Sequence, residues 1–116
     1  MTNRAADIDE AARVVAEWLG WRQKNDGSWT KPFSPGSPYY RHADTAELHT
    51  YEGMGVVLEG LRAKGWHPQV GFGSTTGYCN ISEEMDLEPF THWECDHLPD
   101  AALLAASEAV KEAKDE

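Results

Sequence analysis

Two kinds of hydrophobic spacing alternate along this chain, and their order is the feature that most constrains its fold. Apolar residues at helical spacing predict three helices, at about 8–19, 45–64 and 99–113. The residues between those segments predict a hairpin at 21–31 and strands at 66–72, 78–82 and 90–96. This order predicts an α+β domain in which about three helices cover a small antiparallel sheet.

Capping residues place the ends of the predicted helices. Asp7 has the side chain of an N-cap and Gly20 is typical of a helix end, so the first helix should lie between them. The second helix begins at Thr45 or at Thr50, and both starts stay open. Pro99 fits the first turn of the third helix, because backbone amides there have no hydrogen-bond partner within the helix and proline lacks the amide hydrogen.

The length of 116 residues predicts a single domain, 1–116, with an ordered core at about 7–112 and a short acidic tail. Hydrophobic residues make up 41% of the chain, which is enough for a packed core. No apolar run approaches the roughly 20 residues that span a membrane. Three of the first ten residues, Asp7, Asp9 and Glu10, are acidic where a signal peptide would be apolar, so we expect a cytoplasmic protein.

The net charge of −10 is concentrated in the last third of the sequence. Residues 1–82 hold 9 acids and 8 bases, whereas residues 83–116 hold 11 acids and 2 bases. Phosphate backbones and anionic lipids repel such a chain, so we expect no direct binding to nucleic acid or membrane. The acidic segment is either a solvated face or a surface for a basic partner protein. The candidate residues of that surface are Glu83, Glu84, Asp86, Glu88, Glu94 and Asp96.

Two cysteines are too few for a disulfide framework, but with nearby histidines they could bind zinc. The candidate ligands are Cys79, Cys95, His92 and His97. Strand alternation argues against a metal site, because it places His92 on the opposite face from Cys95. A hairpin centred near Leu87 would place Cys79 opposite Cys95 on an apolar face. We therefore predict two reduced thiols, no metal and no cofactor.

Two loops carry residues suited to a small ligand. Aromatic and cationic side chains that can stack on a base and pair with phosphate adjoin one another at Tyr39, Tyr40, Arg41 and His42. The glycine-rich segment 71–77 adds the hydroxyl groups of Ser74, Thr75 and Thr76. It lacks the lysine and the following helix of a phosphate-binding loop, so a hairpin turn is the simpler interpretation. Residues 39–42 are equally typical of a protein interface or of packing on their own domain.

Four short segments, taken in order, carry a family resemblance. They are Leu19-Gly20-Trp21, Phe33-Ser34-Pro35, Leu58–Trp66 and Leu98–Ala106. Together they cover most of the chain and resemble the phage ABA sandwich domain, a family of small phage-encoded proteins. Two features differ from that family: residues 36–40 replace its short acidic turn, and the final helix lacks its cysteine. The resemblance implies a three-layer helix-sheet-helix sandwich and a phage or prophage origin, and it supplies no catalytic residue.

These observations predict a non-catalytic accessory protein in the cytoplasm of an infected or lysogenic bacterium. Its acidic surface would bind a host or phage protein, for example to inhibit a host defence. The alternative is a protein that binds or sequesters a nucleotide signal through residues 39–42 and 71–77. A homo-oligomer is compatible with either function.

Overall fold

The computed structural model describes residues 4–34, 37–73, 75–83 and 88–114. Within these ranges the chain forms, in order, α1 (Arg4–Trp18), β1 (Arg22–Gln23), β2 (Trp29–Pro32), β3 (Tyr40–Ala43), a 3-10 helix (Thr45–His49), α2 (Tyr51–Lys64), β4 (His67–Phe72), β5 (Gly77–Ser82), β6 (Thr91–Cys95) and α3 (Leu98–Lys114). None of the helices in these ranges combines the length and the hydropathy that a bilayer crossing requires.

The first helix extends beyond its predicted start. Asp7 lies inside α1, so its prediction as the N-cap is wrong. Alanines at positions 5 and 6 have high helix propensity, which lets the helix continue toward the N-terminus past Asp7. The C-terminal end is as predicted: Gly20 adopts a positive φ of 94°, and the amide of Trp21 donates to the carbonyl oxygen of Ala16 at 2.9 Å.

Both possible starts of the second helix are used, by two different helices. Asp44 caps the 3-10 helix through a capping box with Glu47, and Thr50 caps α2. The Thr50 hydroxyl accepts a hydrogen bond from the amide of Gly53 at 3.0 Å. The chain therefore bends at Thr50, where one continuous helix was the other prediction.

The first antiparallel sheet has the order β1-β2-β3. Its first hairpin turns at Gly27, which has a φ of 90°, as the Asn-Asp-Gly sequence predicts. Trp29 pairs with Ala43, and both are buried against the core. Residues 40–43, which overlap the predicted ligand loop at 39–42, form the third strand.

The second antiparallel sheet has the order β4-β5-β6. Cys79 pairs with Trp93 rather than Cys95, so the predicted pairing is wrong by two residues. Alternation fixes which face a side chain occupies, but a shift of two residues preserves every face and leaves the register open. The register is set by tertiary contacts, including the close approach of Leu98 to Gly77, where a Cβ would lie 2.9 Å from the Leu98 side chain.

The third helix is the centre of the core. Residues 101–107 of α3 are all buried, so this helix is covered on every side. The β4–β6 sheet packs on it through the inner face of the sheet, where the Thr91 hydroxyl lies 3.5 Å from the carbonyl oxygen of Ala105. Helices α1 and α2 also pack on α3. The predicted α+β class with three helices is confirmed, and the antiparallel strands form two sheets of three.

Candidate functional site

Strand β3 separates the residues of the predicted aromatic ligand loop. Arg41 alternates with Tyr40 and His42, so its side chain lies on the other face of the sheet. The guanidinium of Arg22 stacks on the ring of Tyr40 at 4.6 Å, whereas Tyr39 precedes the strand and is 71% exposed. Only Arg41 of this group lines a groove that lies beside α2.

The predicted hydroxyl loop lies at another part of the described structure. Thr75 and Thr76 form the turn between β4 and β5, where the amide of Gly73 donates to the carbonyl oxygen of Thr76 at 2.7 Å. Ser74 lies outside the described residues. Neither threonine lines the groove that contains Arg41. Within the described residues, the two predicted ligand loops therefore do not line that groove together.

The groove itself lies between the first sheet and α2 and has a volume of about 1300 Å³. We call it the α2 groove. Apolar side chains from three parts of the fold line it: Trp18 and Leu19 at the end of α1, Phe33 after β2, and Val56 and Leu58 of α2. Phe33 is 63% exposed and Val56 is 48% exposed, so much of this apolar surface faces water.

Glycines of α2 determine the shape of the groove. A Cβ at Gly60 would lie 2.9 Å from Leu19 Cδ2 and 3.1 Å from Trp18 Cζ3, so Gly60 allows α1 to end directly against α2. A Cβ at Gly55 would meet nothing within 4 Å. The groove therefore has one tightly packed end and one open wall.

Charged side chains form the rim of the α2 groove. Lys31 contacts Glu47 at 2.7 Å and Arg62 contacts Glu59 at 3.4 Å. The hydrogen bond from Lys31, helped by that from the Asp44 amide, holds the pKa of Glu47 below its usual value. Arg41 and Lys64 also line the groove and form no direct ion pair within the described part of the chain, although the positive charge of Arg41 also helps to lower the pKa of Glu47.

Two features of the sequence, the glycines of α2 and an apolar residue in a loop, indicate this groove only when they are considered together. Glycines at 53, 55 and 60 are unfavourable in a helix unless another element packs closely, and Gly60 does meet α1. Phe33 stands in a loop of breaker residues, where a large apolar side chain cannot be part of a regular core element. How Phe33 and these glycines are arranged around the groove depends on the bend at Thr50, which the sequence alone does not fix.

Acidic residues without any lysine or arginine characterise the part of the chain that forms the second sheet and most of α3. Residues 66–110, which supply β4–β6 and most of α3, contain eight acidic residues and neither lysine nor arginine. Four of the predicted acidic residues are described and exposed: Glu83, Glu88, Glu94 and Asp96. We call these four the acidic surface. Glu84 and Asp86 lie outside the described residues.

The acidic surface surrounds the second sheet rather than forming one cluster. Glu83 and Glu88 lie at the end of the sheet where β5 finishes, and Asp96 lies beyond the opposite end, where β6 finishes. Glu94 is on the outer face, across from Tyr78. Two further acids serve the fold: Asp100 contacts His49 Nδ1 at 2.8 Å, and Glu108 accepts a hydrogen bond from Trp93 Nε1 at 2.5 Å.

Between the two ends, the outer face of the second sheet is polar. His92 contacts Asn80 through their side chains, and its ring stacks with that of Tyr78 at 6.2 Å between centroids. His92 and Glu94 are also 3.6 Å apart. Among the described residues, this face carries neither lysine nor arginine, so it continues the acidic character of the surface around it.

The four candidate zinc ligands do not converge. Cys79 and Cys95 are buried on the inner face of the second sheet, whereas His92 lies on the outer face. The Nε2 atom of His97 is 2.5 Å from the carbonyl oxygen of His49. Across the described residues, no three His, Cys, Asp or Glu side chains are grouped closely enough to hold a metal ion.

Both cysteines are thiols, and that of Cys79 should be unreactive in the folded protein. Burial raises the pKa of Cys79 to about 12, and only the thiolate is a good nucleophile. At pH 8.5 we expect iodoacetamide to label Cys79 at least about a hundredfold more slowly in buffer than in urea. Mass-spectrometric peptide mapping measures the rate, and equal rates in the two solvents would contradict this burial.

No family model, curated protein or solved structure matches this chain. The resemblance to the phage ABA sandwich domain therefore stays a prediction. The described structure offers two distinct surfaces for function: the acidic surface of the second sheet and the α2 groove beside the first.

Proposed function

We propose that this protein is a non-catalytic binding protein whose acidic surface binds a second protein with a basic surface. The observation that carries this proposal is the absence of lysine and arginine from residues 66–110, combined with the exposure of Glu83, Glu88, Glu94 and Asp96. A surface of one sign creates a field that extends beyond single contacts and attracts a partner of the opposite sign.

A protein partner fits this surface better than nucleic acid or a membrane does. The phosphate groups of both are anionic and would be repelled by a chain with a net charge of −10. Basic protein surfaces commonly serve to bind nucleic acid. An acidic accessory protein can occupy such a surface and so compete with nucleic acid for it.

Together with the resemblance to phage proteins, this surface supports an accessory role in a phage or prophage. The partner would be a host or phage factor that handles nucleic acid, such as a host defence protein. The site of action would be the cytoplasm of the bacterial host.

The arrangement of reactive side chains supports a binding role over catalysis. Cys79 is buried with a raised pKa, which makes it a poor nucleophile. The His49–Asp100 pair joins the 3-10 helix to the first turn of α3. Nucleotide binding by residues 39–42 and 71–77 has less support, because the described residues of the two loops do not line the α2 groove together.

A capture experiment with two matched charge variants tests this function. The tagged protein would be incubated with lysate of a host bacterium, and bound proteins would be identified. Glu88→Lys with Asp96→Lys reverses two charges of the acidic surface, whereas Asp9→Lys with Glu17→Lys reverses two exposed charges of α1.

We expect a specific partner to be captured by the protein and by the α1 variant, and about tenfold less by the acidic-surface variant. Capture should also weaken as the salt concentration rises from about 0.05 M to 0.5 M, because salt screens exposed charges. Capture that is insensitive both to salt and to the acidic-surface variant would overturn the proposal.

A further inference from the structure

The α2 groove is an apolar surface that is separate from the acidic surface. Phe33 and Val56 expose 63% and 48% of their surface, and Trp18, Leu19 and Leu58 line the same groove. Contiguous exposed apolar side chains with a polar rim are typical of sites where another molecule binds.

We propose that the α2 groove binds a peptide segment of a second protein, and that this segment combines apolar side chains with carboxylates. The size of the groove favours a segment over a small molecule. Small-molecule pockets commonly have volumes of about 300–1000 Å³. The α2 groove has about 1300 Å³ and lies between the first sheet and α2.

The charges of the rim define the polar groups of the segment. Lys31, Arg41, Arg62 and Lys64 all line the groove, so it holds 4 of the 10 lysine and arginine residues of an acidic chain. Lys31 and Arg62 are already paired with Glu47 and Glu59. Arg41 lies near Glu47 without a direct ion pair, and no ion pair is formed by Lys64 within the described residues. These two cations can therefore pair with carboxylates of a bound segment.

Acidic residues of the same rim argue against a phosphate chain. Glu47, Glu52 and Glu59 line the same groove as the cations, so successive phosphates would meet carboxylates as well as bases. A peptide can present single carboxylates to Arg41 and Lys64 and apolar side chains to the remaining surface. The partner class is thus an acidic, apolar peptide rather than nucleic acid.

A display library of random 12-residue peptides tests this inference with a defined probe. The protein would be immobilised, peptides would be selected at about 0.1 M salt, and the affinity of an enriched peptide would be measured by fluorescence polarisation. We expect enriched peptides to contain both aspartate or glutamate and large apolar residues.

Variants of the groove assign the binding site. Arg41→Glu and Val56→Asp change exposed positions and should each weaken the enriched peptide at least about tenfold, since a charge pair and apolar burial are lost. Lys24→Glu makes the same charge change in the β1–β2 hairpin, away from the groove, and should change the affinity less than about twofold. Circular dichroism would verify that each variant is folded.

Three outcomes would overturn the inference: no enrichment over a blank surface, enrichment of basic peptides, or equal weakening by Lys24→Glu. Sedimentation of the protein alone provides a further test, because self-association that Val56→Asp abolishes would identify a second copy as the occupant. Glu88→Lys with Asp96→Lys should leave peptide affinity unchanged, so failure of this inference is distinguishable from failure of the proposed function.

Discussion

Gly53→Ala is expected to lower the free energy of unfolding by about 3 kcal/mol or more, an effect at the top of the usual range for overpacking. A Cβ at position 53 would lie 2.1 Å from the carbonyl oxygen of Glu47 and 2.7 Å from Cα of Leu48. Both are backbone atoms of the 3-10 helix, so no side-chain rotation can relieve the overlap. The bend at Thr50 must open before a methyl group fits there.

The consequences of this change should extend to the α2 groove. Glu47 is part of the capping box with Asp44 and also contacts Lys31 at 2.7 Å. Moving its backbone would disturb a cap, an ion pair and the rim of the groove together. Urea unfolding followed by far-ultraviolet circular dichroism measures the change in stability.

Gly55→Ala is the matched control, because it adds the same methyl group two residues along the same helix. A Cβ at Gly55 meets nothing within 4 Å, and alanine has a higher helix propensity than glycine by about 1 kcal/mol. We therefore expect Gly55→Ala to raise stability slightly. Equal effects of the two substitutions would show that the close approach at Gly53 does not constrain the fold.

Much of the fold could be predicted from hydrophobic spacing and turn residues. The three helices, the hairpin at Gly27 and the strands β4–β6 all follow from local patterns. The start of α1 and the pairing of Cys79 could not be predicted in this way. The extension of α1 past Asp7 depends on the helix propensity of the residues before it, which competes with the tendency of Asp7 to cap a helix. The strand register depends on contacts made by Leu98, which belongs to another element.

The functional surfaces were only partly predictable. The acidic surface follows from charge counting, although the separation of Glu83 and Glu88 from Asp96 depends on the direction of β5 and β6. Residues 39–42 do not share one face, because strand β3 sends alternate side chains to opposite faces, and ligand binding by them stays a prediction. The α2 groove unites residues of α1, the first sheet and α2, and no local pattern reports that distant segments meet.

Leu103→Ala should lower the free energy of unfolding by about 3 kcal/mol, within the range of about 2–5 kcal/mol for leucine removed from a core. Leu103 is fully buried in α3, the helix on which α1, α2 and the second sheet all pack. Because several elements meet there, the surroundings cannot collapse into the cavity without moving a helix or the sheet. The resulting loss of stability combines the apolar burial that the leucine no longer provides with the cost of an unfilled cavity.

Leu103→Met is the control that tests whether the lost side-chain volume, rather than any substitution at position 103, lowers the stability. Methionine nearly conserves the volume and is flexible, so it should lower stability by less than about 1.5 kcal/mol. Urea unfolding of the protein and both variants measures the ranking. If alanine and methionine were equally mild, α3 could not be the tightly packed centre that supports both the acidic surface and the wall of the α2 groove.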